Sequence, residues 1–197
     1  MTRPGAIPVV LVGLILAAVA CHQASEPRFY GSVRPDNVPS EDFTLTDQYG
    51  ESFRLSDHRG KVVLLFFGYA YCPDVCPVTL SNWARVEQAL GGNEEVEFIF
   101  VTVDPERDTM ERLREHLEIF SENFHGLTGT EEQIVPVYEK LGIFRKKQSF
   151  SESAMGYVVD HTTLMLLLDR EGRIRVSFPF DAAPDEIAHD VRELLNP

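Results

Sequence analysis

Apolar and polar positions along this chain fall into blocks of two different periods, and the order of the blocks predicts an architecture. Phe43-Thr44-Leu45-Thr46 and Ser52-Phe53-Arg54-Leu55 alternate residue by residue around Gln48-Tyr49-Gly50, which predicts a hairpin. Lys61 to Phe67 is a nearly continuous Val, Leu and Phe run, as expected of a strand buried on both faces. From about Pro77 to Leu90 the period becomes helical, with a proline suited to the first helical position. Val96 to Val103 reads as a second buried strand. Thr109 to Phe120 reads as a helix with Leu113, Leu117 and Phe120 on one face, and a turn at Leu127-Thr128-Gly129 leads into a helix over Glu131 to Leu141. Thr163 to Leu168 and Arg173 to Phe178 alternate around Asp169-Arg170-Glu171-Gly172 as a closing hairpin, and Asp185 to Leu195 is a final amphipathic helix. The class is therefore α/β with a βαβ core.

The N-terminus bears on the compartment. Arg3 precedes an apolar run from Ile7 to Ala20, and Ala18-Val19-Ala20 stands before Cys21. This reads as a secretory signal. Cys21 after two small residues suggests a lipoprotein cleavage box with that cysteine lipidated, although Ala18 stands where such a box prefers Leu. Ordinary secretion and an uncleaved membrane anchor are the alternatives, the run being shorter than the roughly 20 residues of a usual span. The chain divides into residues 1–21 as signal or anchor, 22–37 as a polar tether, and 38–197 as one domain large enough to bury a core. Eighteen Lys plus Arg against 31 Asp plus Glu give a net charge of -13, which argues against nucleic acid as a partner and fits simple solubility.

Chemistry concentrates at Cys72-Pro73-Asp74-Val75-Cys76-Pro77, where the first buried strand gives way to a helix. Free N–H groups and the helix dipole at such a turn favour thiolate, and side chains four apart in a helical turn point the same way. Two converging sulfurs of low pKa can hold one metal ion or close one disulfide. Once Cys21 is set aside these are the only cysteines, so the domain has no disulfide scaffold to rest on. A two-cysteine motif at the end of the first core strand of such an α/β chain is a thioredoxin-like plan, with an N-terminal hairpin and a C-terminal hairpin plus helix added.

Three segments, Gly68-Tyr69-Ala70-Tyr71-Cys72-Pro73-Asp74-Val75-Cys76-Pro77-Val78-Thr79-Leu80, Val101-Thr102-Val103-Asp104-Pro105-Glu106-Arg107-Asp108-Thr109 and Tyr157-Val158-Val159-Asp160-His161-Thr162, resemble the signatures of the Sco (SenC) family in the same order. The resemblance runs from about Val38 to the C-terminus; Thr162 replaces a usual Ser and keeps the hydroxyl. It implies a membrane-anchored, thioredoxin-like domain that binds copper through Cys72, Cys76 and His161 and assists assembly of the dinuclear copper centre of cytochrome c oxidase. The implied setting is the extracytoplasmic, periplasmic face of a bacterial cell membrane. The implied partner is the copper-centre subunit, with other periplasmic copper chaperones or thiol reductants as further partners. Thiolate sulfur favours Cu(I) and imidazole also suits Cu(II), so the set fits either state, whereas zinc more often takes a fourth protein ligand. A thiol-disulfide oxidoreductase using a Cys72–Cys76 disulfide is the alternative, and a copper or redox sensor a further one.

Asp74 and Asp160, neighbours of the ligands, are candidates to tune them or to touch a partner. Asp104 to Asp108 is expected to serve turn and helix-start chemistry ahead of Thr109. His22, His58, His116, His125 and His189 are scattered, and nothing in the sequence pairs them into a second metal site. Met155 lies in the loop before His161, where it could approach a soft metal.

Overall fold

A computed structural model describes residues 28–35, 39–149 and 156–196. The expected signal segment with Cys21, half of the expected tether, and Met155 lie outside them. In chain order the strands are β1 (Ser32–Val33), β2 (Thr44–Asp47), β3 (Ser52–Arg54), β4 (Val62–Gly68), β5 (Val96–Thr102), β6 (Phe124–Thr128), β7 (Arg145–Ser149), β8 (Tyr157–His161), β9 (Met165–Leu168) and β10 (Ile174–Phe178). The helices are α1 (Val75–Ala89), α2 (Met110–Glu118), α3 (Glu131–Leu141) and α4 (Pro184–Leu195).

The two apolar runs form the centre of the molecule. All seven residues of β4 and all seven of β5 are buried, and the strands pair in parallel from Val62 with Val96 to Gly68 with Thr102. Burying a Val, Leu or Phe side chain contributes roughly 1.5–3 kcal/mol, well above the ~1 kcal/mol span of strand propensities, so burial decides where these residues go. Around them an eight-stranded sheet runs β1-β10-β9-β4-β5-β6-β2-β3, with β5–β6 parallel and the outer pairs antiparallel. β7 and β8 form a separate two-stranded sheet. Trp83 of α1 is fully buried among Phe66, Phe98 and Phe124, which fastens the helix to the sheet. This is the thioredoxin-like plan with its added hairpins.

Four elements differ from the sequence expectation. α1 begins at Val75, so Cys76 lies inside its first turn and Pro77 stands third, where a missing N–H still costs no helical bond. The turn expected at Leu127-Thr128 is the end of β6; that strand holds Gly126, whose place a Cβ would contest with Leu117 Cδ1 at 2.6 Å, and such a short glycine-bearing strand carries a weak pattern. The polar segment Arg145–Ser149 is paired β-structure with no apolar alternation to announce it. Residues assigned to the tether also join the domain: Ser32 and Val33 pair with Ser177 and Val176, and the fully buried Asp190 of α4 accepts the N–H groups of Tyr30 and Gly31 at 3.0 Å.

Replacing Asp190 with Ala leaves those two amides without their acceptor. The expected outcome is a stability loss of about 2 kcal/mol in denaturant unfolding, with amide exchange accelerated at Tyr30 and Gly31 but unchanged at Ala70.

Candidate metal centre

The parallel register sets the carboxyl ends of β4 and β5 at one level, and the cysteine turn leaves from there. Gly68 ends β4 because nothing larger fits: a Cβ there would lie 2.7 Å from the Phe100 ring and 2.8 Å from Cys76 Sγ. The chain turns on a Cys72 N–H bond to the Tyr69 carbonyl (3.1 Å) and enters α1 at Val75. Cys72 is half-buried at the surface and Cys76 is fully buried beneath it.

His161 arrives from the far side as the last residue of β8, paired with Arg145. The Arg145 guanidinium donates to the Val103 carbonyl (2.5 Å) and to both oxygens of Glu131 (3.0 Å each), tying β7 to the end of β5 and the start of α3. The imidazole packs edge-on to Phe66 and Tyr69. Its Nδ1 lies 2.8 Å from the Thr162 carbonyl, which can only accept, so Nδ1 carries hydrogen and Nε2 faces the sulfurs, 4.0 Å from Cys76 Sγ. The ligand atoms of Cys72, Cys76 and His161 all lie within 4.8 Å of one another.

The two thiols are electrostatically unequal. A hydrogen bond from the Cys76 thiol, with help from His161 and the backbone N–H groups of Asp74 and Cys76, outweighs burial and brings Cys72 down to about 4. Burial, followed by the adjacent Cys72 charge, pushes Cys76 well above an ordinary thiol. The pair therefore holds one proton, on the inner sulfur, across a wide pH range. Both cysteines are free thiols here. The arrangement can present two sulfurs and one nitrogen to a soft cation, or attack a disulfide with Cys72 and resolve it with Cys76.

The Asp104–Asp108 segment does more than start a helix. Asp108, fully buried, accepts the Ala70 N–H (3.0 Å) and the Thr102 hydroxyl (2.6 Å), fixing the cysteine turn against the end of β5. Asp104, also buried, accepts the Tyr157 hydroxyl at 2.7 Å and Arg107 Nε at 2.5 Å, while Arg107 Nη1 donates to the Tyr157 carbonyl at 3.1 Å. One loop thus grips both ligand-bearing elements. Tyr69, Arg107, Tyr157 and Arg145 were not singled out from sequence; the tyrosines and Arg107 sit inside the three signature segments, whereas Arg145 has no local signal. Asp74 and Asp160 are both exposed: Asp74 serves Cys72 through its backbone N–H, and the Asp160 carboxylate takes a hydrogen bond from Gln148. His58 and His125 are not scattered in space, since both reach Glu97 at the other end of β5.

A family model described as SCO1/SenC matches residues 32–196. The chain belongs to the SCO1/SenC family. Among SCO1/SenC relatives, a SCO2-like protein of Rickettsia felis is 35% identical over 158 residues, covering 79% of this chain and 77% of that one. The structure of Bradyrhizobium japonicum ScoI with copper bound superposes with a TM-score of 0.74 at 36% identity, covering 80% of this chain and all of that one. A SCO1/SenC family lipoprotein from Bacillus anthracis superposes with a TM-score of 0.70 at 27% identity, covering 83% and 99% respectively.

The asymmetry of the thiols gives a measurable signature. Iodoacetamide should modify Cys72 selectively in the reduced protein, at a rate nearly constant from pH 8 down to about 5 and falling as Cys72 is protonated near pH 4. Peptide mass spectrometry across that range checks it; a rate that declines steadily from pH 8.5 contradicts the low-pKa assignment.

Proposed function

We propose that this protein takes up copper through Cys72, Cys76 and His161 and passes it to the copper-centre subunit of cytochrome c oxidase during assembly of the dinuclear site. The observation that carries this reading is the convergence of two sulfurs and one imidazole nitrogen within 4.8 Å, from two elements far apart in sequence. Disulfide exchange needs only the cysteines, so an imidazole held with Nε2 toward both sulfurs favours a metal. Two thiolates and one imidazole suit copper in either oxidation state, and the related Bradyrhizobium protein is described with copper bound.

The inequality of the two thiols supports a second reading on the same residues. Cys72 has the character of an attacking thiolate and Cys76 that of a protected resolving thiol, so the pair could reduce cysteines of the acceptor and close a Cys72–Cys76 disulfide. Closing it consumes both sulfurs, so metal and disulfide states exclude one another. One copper ion per reduced chain is the expected stoichiometry, measured by competition with a chromophoric chelator. Cys72→Ser, Cys76→Ser and His161→Ala should each weaken binding by about tenfold or more. Unchanged affinity in His161→Ala removes the copper reading and leaves the exchange reading.

The anchoring proposal rests on Ala18-Val19-Ala20-Cys21 and on the related Bacillus lipoprotein. Lipidated Cys21 would hold the domain on the extracytoplasmic face of the membrane, near a membrane-embedded oxidase. Cys21→Ser is expected to change processing and release the protein from the membrane fraction while leaving copper affinity unaltered. Mass spectrometry of the mature N-terminus decides it: an intact signal, or an unmodified Cys21 start, contradicts lipidation.

A further inference from the structure

The chain enters the domain at the same end of the sheet as the cysteine centre. β4 finishes on Gly68 at that end, and β9 runs antiparallel to it with Met165 beside Phe66. β10 returns with Phe178 beside Met165, and β1 runs away again, Ser32 pairing with Ser177 and Val33 with Val176. The residues ahead of Ser32 therefore come in from the cysteine end, three strands from β4 and so about 14 Å to its side. They are firmly seated there. The Tyr30 and Gly31 amides donate to the buried Asp190 at 3.0 Å, the Tyr30 ring meets His189 edge-on at 4.9 Å, and a Cβ on Gly31 would fall 2.7 Å from the Phe178 ring.

We propose that in the anchored protein a short tether turns the cysteine end of the domain toward the membrane and brings the exposed apolar side chains of that end against the lipid surface. The inference rests on the anchoring at Cys21 proposed above. Nine residues along the chain separate Cys21 from Tyr30, a span of at most about 30 Å even when fully drawn out. With the cysteine end turned away, the chain would first have to run back past the sheet, and the seven residues of β4 alone cover roughly 23 Å. The loops beyond both ends take up the remainder. The surface agrees with this orientation. Tyr30, Tyr71, Val78, Phe144 and Leu164 are all exposed at the cysteine end: Tyr71 precedes Cys72, Val78 lies in the first turn of α1, Phe144 exchanges hydrogen bonds with Thr162 beside His161, and Leu164 leads into β9. Tyrosine and aliphatic side chains suit the boundary between lipid and water. The loops of the far end instead expose Glu94, Glu95, Glu122 and Glu171, groups that are costly to bring to lipid.

The test uses the full chain expressed in bacteria, recovered from the membrane fraction and placed in nanodiscs of phosphatidylethanolamine and phosphatidylglycerol that carry a gadolinium-chelating lipid. Paramagnetic broadening of amide NMR signals should be several-fold greater at Tyr71, Val78 and Leu164 than at Gly60, Gly92 and Gly172, which lie in the loops of the far end. Inserting a Gly-Ser stretch of about 20 residues between Ser25 and Glu26 adds a mean reach of roughly 25 Å and should reduce that contrast several-fold. Equal broadening at the two ends, greater broadening at the three glycines, or a contrast untouched by the insertion would each overturn the proposal while leaving the anchor in place. Mass spectrometry of the mature N-terminus judges the anchor separately. An unmodified start at Cys21 or beyond removes anchor and orientation together. A retained apolar segment contradicts lipidation alone and keeps the orientation, since that run ends at Ala20 and the tether has the same length.

Discussion

Two buried carboxylates on one short loop hold the cysteine centre together. Asp108 receives the Ala70 amide and the Thr102 hydroxyl, its own carbonyl receives the Thr128 hydroxyl, and Asp104 receives Tyr157. These bonds tie the ends of β4, β5 and β6 and the start of β8 into one rim. Desolvation makes such carboxylates costly alone, and burial indeed lifts Asp108 to about 6. They are tolerated because both are hydrogen-bonded, Asp108 by Ala70 and Thr102 and Asp104 by Tyr157 and Arg107, and such a network rigidifies the segments it joins. The cysteine turn leaves β4 of the large sheet and His161 ends β8 of the small one, two strands that share no backbone pairing, so this rim helps to fix their separation.

Within that frame the sulfurs divide the work. The Cys76 thiol, His161 and the converging N–H groups of Asp74 and Cys76 favour charge on Cys72, while Cys76 itself lies where no water reaches. Gly68 permits the burial, since its missing side chain is the space that Cys76 Sγ and Phe100 occupy. The low-charge interior and the reactive surface atom are thus a single packing decision made at one residue of β4.

Much of this was legible in the chain. The continuous runs of β4 and β5, the helical faces of α1 to α4 and the β9–β10 hairpin carry strong periods, and the three signature segments named Cys72, Cys76 and His161. What was not legible depends on tertiary pairing. β7 is Arg-Lys-Lys-Gln-Ser, which has no strand pattern and forms only because β8 lies beside it and Arg145 reaches Val103 and Glu131. The apolar pattern of β6 is interrupted by Gly126, and β1 is two residues long, its leading residues held by a carboxylate about 160 positions away. His58 and His125 meet through strand order, because β6 lies between β5 and the β2–β3 hairpin that leads to His58. No local window contains that information.

The margins of the sheets have their own consequence. The large sheet ends on β1, with two residues, and on β3, with three, and the small sheet presents the cationic β7. Long, flat, apolar edges are templates for strand addition between molecules, and these edges are too short or too charged to serve. For a protein whose thiols can cross-link under oxidation, the short margins of the large sheet narrow the other common route by which chains stick to one another.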